Sequence, residues 1–231
     1  MRSFFVDISS ALDKEFTLPK EESKHACKVL RMNNGDHLAI VNGKGDQFTG
    51  EIINANPKAC LIKVIDHVTE KKDDFEIHIA IAPTKNIDRF EWFLEKSTEL
   101  GIHRITPLIC SNSERKVIKE DRLNKVLIAA MKQSKRLYLP KLDSLTEFNE
   151  FIKTNPAGLI AHCYDDEKRT FETQVKPTNC PILIGPEGDF TNLEIEKAFS
   201  FNYKPVTLGK TRLRTETAGL YACMMSKHKF E

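Results

Sequence analysis

Residues 181–218 constrain this chain most, because they hold two short apolar strands, each broken by glycine and followed at once by a helix signal. Pro181-Ile-Leu-Ile184 runs into Gly185-Pro-Glu-Gly-Asp-Phe190, and Thr191 with Glu194 has the spacing of a capping box. The second unit is Pro205-Val-Thr-Leu208, then Gly209, with Lys210, Arg212 and Arg214 arriving before Glu216. There Thr215 reads as an N-cap, and Glu216 falls in the first turn, where the helix dipole favours an anion. Gly185 and Gly188 permit positive φ and leave backbone N–H and C=O groups bare, so a flat or anionic ligand can approach the main chain. An isolated Gly-Pro-Glu-Gly is more often only a tight connection. Two such loops close together in sequence favour a ligand site.

The preceding chain reads as two kinds of structure. Residues 1–70 carry short apolar runs: Phe4-Phe-Val6, Glu15-Phe-Thr-Leu18, His37-Leu-Ala-Ile-Val41, and residues 47–53 and 59–65. Asn42-Gly-Lys-Gly45 between two of these is a hairpin signal, so this half is expected to form a small antiparallel barrel. Residues 21–31 interrupt it in helical pattern, with Ala26, Val29 and Leu30 on one side and Lys24, His25, Lys28 and Arg31 as a basic cluster. Thr69-Glu-Lys-Lys-Asp-Asp74 is too polar to enter a core and marks a boundary, giving domains over 1–70 and 73–231.

From there strands alternate with helices. Residues 75–82, 105–109, 158–161, 181–184 and 206–208 read as strands, and 88–100, 121–137, 193–201 and 216–229 as helices, the first stopped by Gly101. That order predicts an α/β fold with a mostly parallel sheet covered on both faces. Such sheets bind ligands beyond their strand C-termini, where Ala161-His162, Gly185 and Gly209 fall. Trp92 and Phe93 share a helix with Phe90 and Leu94 and read as packing residues.

Composition narrows the function classes. A net charge of +2 in 231 residues does not advertise bulk affinity for nucleic acid, so any RNA contact must come from local basic patches. The six cysteines are scattered, without a Cys-x-x-Cys pair or a histidine at ligand spacing, and read as reduced, mostly buried small hydrophobes rather than a metal site. No run approaches the roughly 18 apolar residues of a membrane span, and the opening residues do not read as a signal peptide, so a cytoplasmic protein is expected. Neither Gly-x-Gly-x-x-Gly nor Gly-x-x-x-x-Gly-Lys-Ser/Thr is present, which argues against a dinucleotide or P-loop enzyme.

The pair Ile184-Gly-Pro-Glu-Gly188 and Leu208-Gly209…Leu213-Arg-Thr-Glu-Thr-Ala218 resembles the signature of the SPOUT superfamily of S-adenosylmethionine-dependent RNA methyltransferases, most closely its RsmE-type branch. The resemblance spans nearly the whole chain. His25…Val29-Leu-Arg31…Gly35-Asp36 is similar to the N-terminal motif, Lys85…Glu91…Lys96…Glu99-Leu-Gly101…Pro107 to the middle motif, and Gln133…Arg136…Pro140 to a third. In two places the sequence departs from the pattern: Asp189 stands where a second glycine is expected, and Arg212 where an aliphatic residue is usual.

The resemblance implies a PUA-like RNA-binding domain followed by a methyltransferase domain with a C-terminal trefoil knot, a homodimer, and methylation of N3 of a uridine in small-subunit ribosomal RNA. It implies S-adenosylmethionine held by Ala161, His162, Ile184, Gly185, Pro186, Gly188, Leu208, Gly209 and Leu213, without metal. RNA contact is expected from Lys24, Lys28, Arg31 and Arg136, where arginine pairs with phosphate or stacks on a base. Arg214 is the expected cation for charge developing on the uracil carbonyl oxygens. Glu216 is the available carboxylate for removing the N3 proton or orienting Arg214, with plain helix-dipole stabilisation as an equal alternative and water as another acceptor. A non-catalytic RNA-binding assembly protein and a transfer-RNA methyltransferase of the same fold remain the competing readings.

Overall fold

A computed structural model describes residues 2–8, 15–165 and 167–231. The chain divides into two compact units, one of Met1–Lys72 with Met131–Leu139, the other of Asp73–Ala130 with Pro140–Glu231.

The first unit contains β1 (Ser3–Phe5), β2 (Glu15–Thr17), α1 (Lys20–Lys24) running into a π turn (His25–Val29), then β3 (His37–Val41), β4 (Asp46–Asn54) and β5 (Leu61–Thr69). Its described strands form one five-stranded sheet in the order β1-β3-β4-β5-β2. The sheet is not wholly antiparallel as expected, because β1 lies parallel to β3 while the other pairs are antiparallel. A parallel neighbour needs a long crossover rather than a hairpin, and β2 with the helix supplies one here. Burial alternates along β4 with the period of two that strands impose. Phe4, Leu18, Ala26, Leu38, Ile40, Phe48, Ile52 and Ile62 form the core.

The helix of this unit departs from a regular 3.6-residue repeat. Leu30 N donates to His25 O at 2.9 Å, an i to i+5 bond, so the turn is wider than α and the face rotates. Val29, expected beside Ala26 and Leu30, is instead 65% exposed. The turn ends at Arg31, whose φ is 54.

The second unit contains β6 (His78–Ile81), α2 (Ile87–Leu100), β7 (Arg104–Ile109), α3 (Glu120–Ser134), whose last residues group with the first unit, β8 (Lys141–Leu142), β9 (Thr146–Glu147) and α4 (Phe148–Thr154). It continues with β10 (Gly158–Ala161), β11 (Arg169–Thr170), α5 (Phe171–Gln174), β12 (Ile182–Ile184), α6 (Asn192–Ser200), β13 (Tyr203–Thr207) and α7 (Thr215–Phe230). The sheet order is β11-β13-β10-β12-β6-β7-β8, with β9 also against β7, and every described pair is parallel.

Local chemistry explains most of these elements. β6 and β12 are buried along their whole length, as strands covered on both faces must be. Asn86 caps α2 by accepting from Asp88 N at 3.0 Å, and Gly101 ends it at φ 95. Phe90, Phe93 and Leu94 of α2 are buried, but Trp92 is 42% exposed and so is not the packing residue expected. α6 carries the predicted capping box between Thr191 and Glu194. α3 stops at Ser134 rather than at 137, with Lys135 at φ 59 beyond it. α4, not anticipated from the sequence, buries Phe148, Phe151 and Ile152 on one side. Ala161 is in register with Ile184 on one side and Val206 on the other. The C-terminal ends of β10, β12 and β13 therefore open onto one edge of the sheet, where α/β folds bind ligands.

Candidate functional site

Two cavities lie along that edge. One of about 270 Å³ is lined by Ala161, Cys163, Ile184, Gly185, Pro186, Glu187, Asp189, Arg212, Leu213, Arg214, Thr215 and Ala218. The other, about 540 Å³, takes in His162, Cys163, Tyr164, Leu208, Gly209 and Lys210 and shares Ala161, Cys163, Arg212, Leu213 and Ala218 with the first. Its volume falls in the range of about 300–1,000 Å³ typical of small-molecule sites. Eight of the nine residues expected to hold a cofactor border these cavities. Gly188 borders neither, because it packs on Asn112, whose Cβ would lie 3.1 Å from a Cβ at that position.

The loop after β12 is tied down from every direction. Ala82 N donates to Ile184 O at 3.1 Å, Lys85 N to Glu187 Oε1 at 2.8 Å, and Asn112 Nδ2 to Gly188 O and Asp189 O at 3.1 Å each. The buried Thr215 hydroxyl donates to Gly185 O at 3.0 Å. Within the loop, Asp189 N donates to Pro186 O at 2.9 Å. Positive φ, expected at Gly185 and Gly188, occurs at neither; Asp189 takes it, at φ 62. Aspartate tolerates that region because its short side chain bonds locally, and here Oδ1 accepts from Phe190 N at 2.8 Å. Gly185 relieves crowding instead, since a Cβ there would sit 3.1 Å from the Phe190 ring, tighter than ordinary van der Waals contact.

The loop after β13 is held differently. Gly209 has φ 122, and a Cβ there would meet nothing within 4 Å, so conformation rather than crowding requires glycine. Among the described residues, the hydrogen bonds of 208–213 run only to Thr207, whose hydroxyl meets Gly209 O at 3.0 Å and Gly209 N at 3.2 Å. Lys210, Arg212 and Arg214 are exposed. Arg214, not Thr215, is the N-cap of α7, and it caps with no side-chain bond. Its guanidinium has no hydrogen-bond or ion-pair partner among the described residues. Thr215 is one residue inside the helix, which frees its hydroxyl for Gly185.

Glu216 borders neither cavity. It is 7% exposed, its ion-pair partner is Arg89 Nε on α2 at 3.8 Å, and its Oε2 has no hydrogen-bond partner among the described residues. Arg89 was invisible to sequence reasoning as part of this cluster, because only the packing of α2 on α7 brings it near. Among the described residues no cluster of three or more His, Cys, Asp or Glu side chains is placed to hold a metal, and no helix is long and apolar enough to cross a membrane.

In the first unit, Lys24, Lys28 and Arg31 are exposed around the π turn, without ion pairs among the described residues. The nearby acid Glu22 is occupied by Lys132 at 2.9 Å and His25 at 3.6 Å, so it does not neutralise them. Arg136, in the segment 131–139, is half-buried, and its Nε has no hydrogen-bond partner among the described residues.

Known proteins match both units. A family profile described as an RNA methyltransferase domain covers residues 71–227, and one described as an RNA methyltransferase PUA domain covers residues 18–65. The chain is 26% identical over 251 residues to the ribosomal RNA small subunit methyltransferase E of Bacillus subtilis, a match spanning 100% of this chain and 98% of that protein. It is 36% identical to a crystal structure of a probable rRNA-methyltransferase from Porphyromonas gingivalis, with a TM-score of 0.83 over 96% of this chain and 95% of that one. The ribosomal RNA small subunit methyltransferase E of Neisseria gonorrhoeae, solved bound to S-adenosyl methionine, superimposes with a TM-score of 0.86 at 25% identity over 97% of this chain and 96% of that one. The tied-down glycine loop, the free arginine beside it and the matching profiles lead to one assignment: this chain belongs to the RNA methyltransferase family, with a PUA domain ahead of its methyltransferase domain.

Proposed function

We propose that this protein transfers a methyl group from S-adenosylmethionine to N3 of a uridine in small-subunit ribosomal RNA, as a cytoplasmic homodimer. The observation that carries this reading is an unpartnered, exposed guanidinium, Arg214, in the lining of a cavity that also takes in the hydrogen-bonded main chain of Ile184–Pro186. The donor set fits the cofactor. Backbone groups of Ile184–Pro186 and Leu208–Gly209, with Ala161, His162 and Leu213, would hold an adenine and ribose without metal. When bound, the cofactor supplies an electrophilic methyl on a sulfonium centre.

The chain's own part is positioning and charge. Methyl transfer needs the acceptor in line with the bond that breaks, so a braced loop contributes by removing motion in advance. As N3 gives up its proton, negative charge spreads to the uracil carbonyl oxygens, and Arg214 stabilises it. Glu216 pairs with Arg89 and borders neither cavity, so it serves to hold α7 against α2 rather than to take the N3 proton. Lys24, Lys28, Arg31 and Arg136 contact the RNA backbone.

The test is transfer of labelled methyl to small ribosomal subunits lacking this modification, followed by digestion to nucleosides. Label in 3-methyluridine that is lost in Arg214→Ala supports the proposal. Cofactor binding with no label in any RNA overturns the catalytic reading and favours an assembly protein; label in another nucleoside overturns the assigned target.

A further inference from the structure

Asp189 does more in this structure than complete a turn. Its Oδ1 accepts from the next amide, Phe190 N, at 2.8 Å, while Oδ2 reaches across to Cys163 N at 2.7 Å. Cys163 lies just beyond β10 and lines both cavities. The main-chain carbonyl of Asp189 is held in turn by Asn112, on the loop after β7, at 3.1 Å. One residue thus joins the exits of β7, β10 and β12. A left-handed φ of 62 is unfavourable for a residue with a Cβ, and it persists here with both carboxylate oxygens bonded to amides.

We propose that Asp189 is a positioning residue for the cofactor, its carboxylate fixing the loop after β10 so that Cys163 forms the wall common to both cavities. The proposal rests on the reading of these cavities as the S-adenosylmethionine site. Charge-assisted bonds from a carboxylate to amides are stronger than neutral ones, so a single side chain suffices to set that wall. The bonds also give a role to a carboxylate in a cavity lining that Arg212 shares. Partial desolvation raises the Cys163 thiol pKa and the Asp189 charge raises it further, while Arg212 opposes them. The thiol therefore reports on the contact.

Asp189→Gly separates backbone from side chain, since glycine keeps the positive φ and loses both bonds. Asp189→Asn keeps the φ and one acceptor. Calorimetry with S-adenosylmethionine should give wild-type binding, about tenfold weaker binding for Asp189→Gly, and a value between them for Asp189→Asn. Iodoacetamide labelling of Cys163, followed by peptide mass spectrometry, should be slowed by the cofactor in wild type. Without cofactor it should be faster in Asp189→Gly than in wild type, because the loop is released and the nearby anion is gone. Wild-type protein that binds no S-adenosylmethionine overturns the functional reading and this proposal with it. Wild-type binding that Asp189→Gly matches within twofold, with unchanged Cys163 labelling, overturns this proposal alone. If Asp189→Gly does not fold, Asp189→Asn binding at wild-type strength does the same.

Discussion

The loop after β12 and the loop after β13 border the same cavity, leave the same edge of one parallel sheet, and differ in almost everything else. The first is bonded to the loops after β6, β7 and β10 and to α7. The second carries Lys210, Arg212 and Arg214, and among the described residues its stretch 208–213 bonds only to Thr207. The contrast teaches a division of labour. A binding wall must not move, so its polar groups are satisfied by protein; a charge meant for a substrate must stay unpaired until that substrate arrives.

Breaking the anchored side should have the largest effect on the fold. Phe190 is fully buried beneath the first loop, so Phe190→Ala should cost about 3–5 kcal/mol in urea unfolding. Arg214→Ala should lower the rate of methyl transfer by about 10²–10³-fold, equivalent to about 2.7–4 kcal/mol, while leaving the thermal midpoint essentially unchanged.

A pH series tests the sheet without touching either loop. His78 opens β6, at the opposite end of the strand from the site, and burial drives its pKa down to about 3. The unfolded value is near 6.5, so between the two values the unfolded chain binds the extra proton and acid destabilises the fold. Above about 6.5 the contribution is complete. Lowering the pH from about 7 to about 5 should cost about 2 kcal/mol, and His78→Asn should remove most of that slope.

Smaller effects sharpen the contrast further. Thr215→Val leaves Gly185 O unpaired in a buried position and should cost about 1–2 kcal/mol. Lys210→Ala, on the free loop, should stay within about 0.5 kcal/mol of wild type in the same assay.

How much of this could be read beforehand depends on the range of the interactions. The capping box at Thr191 and Glu194, the Gly101 stop of α2 and the strand ending at Ala161 are signals a few residues long, and they survive into the structure. That cavities would open beyond Ala161, Ile184 and Leu208 was legible for the same reason, because parallel strands gather their exits at one edge. What failed was conformation set by distant partners. Gly185 and Gly188 looked like the positive-φ residues, but Asp189 takes that role, with a carboxylate bond to Cys163. Thr215 looked like a cap, yet its hydroxyl goes to a carbonyl thirty residues away in the chain. Glu216 faces Arg89 because α7 packs on α2. The π turn at His25–Val29 exposed Val29 where a 3.6-residue repeat would have buried it.

The division between the loops is tested most directly by calorimetric titration of S-adenosylmethionine, without RNA, into Thr215→Val and Arg214→Ala beside wild type. The account predicts that Thr215→Val, which loosens the anchored wall, binds about three- to tenfold more weakly, while Arg214→Ala binds within about threefold of wild type despite its loss of transfer. Weakened cofactor binding in Arg214→Ala, with Thr215→Val unaffected, would contradict it.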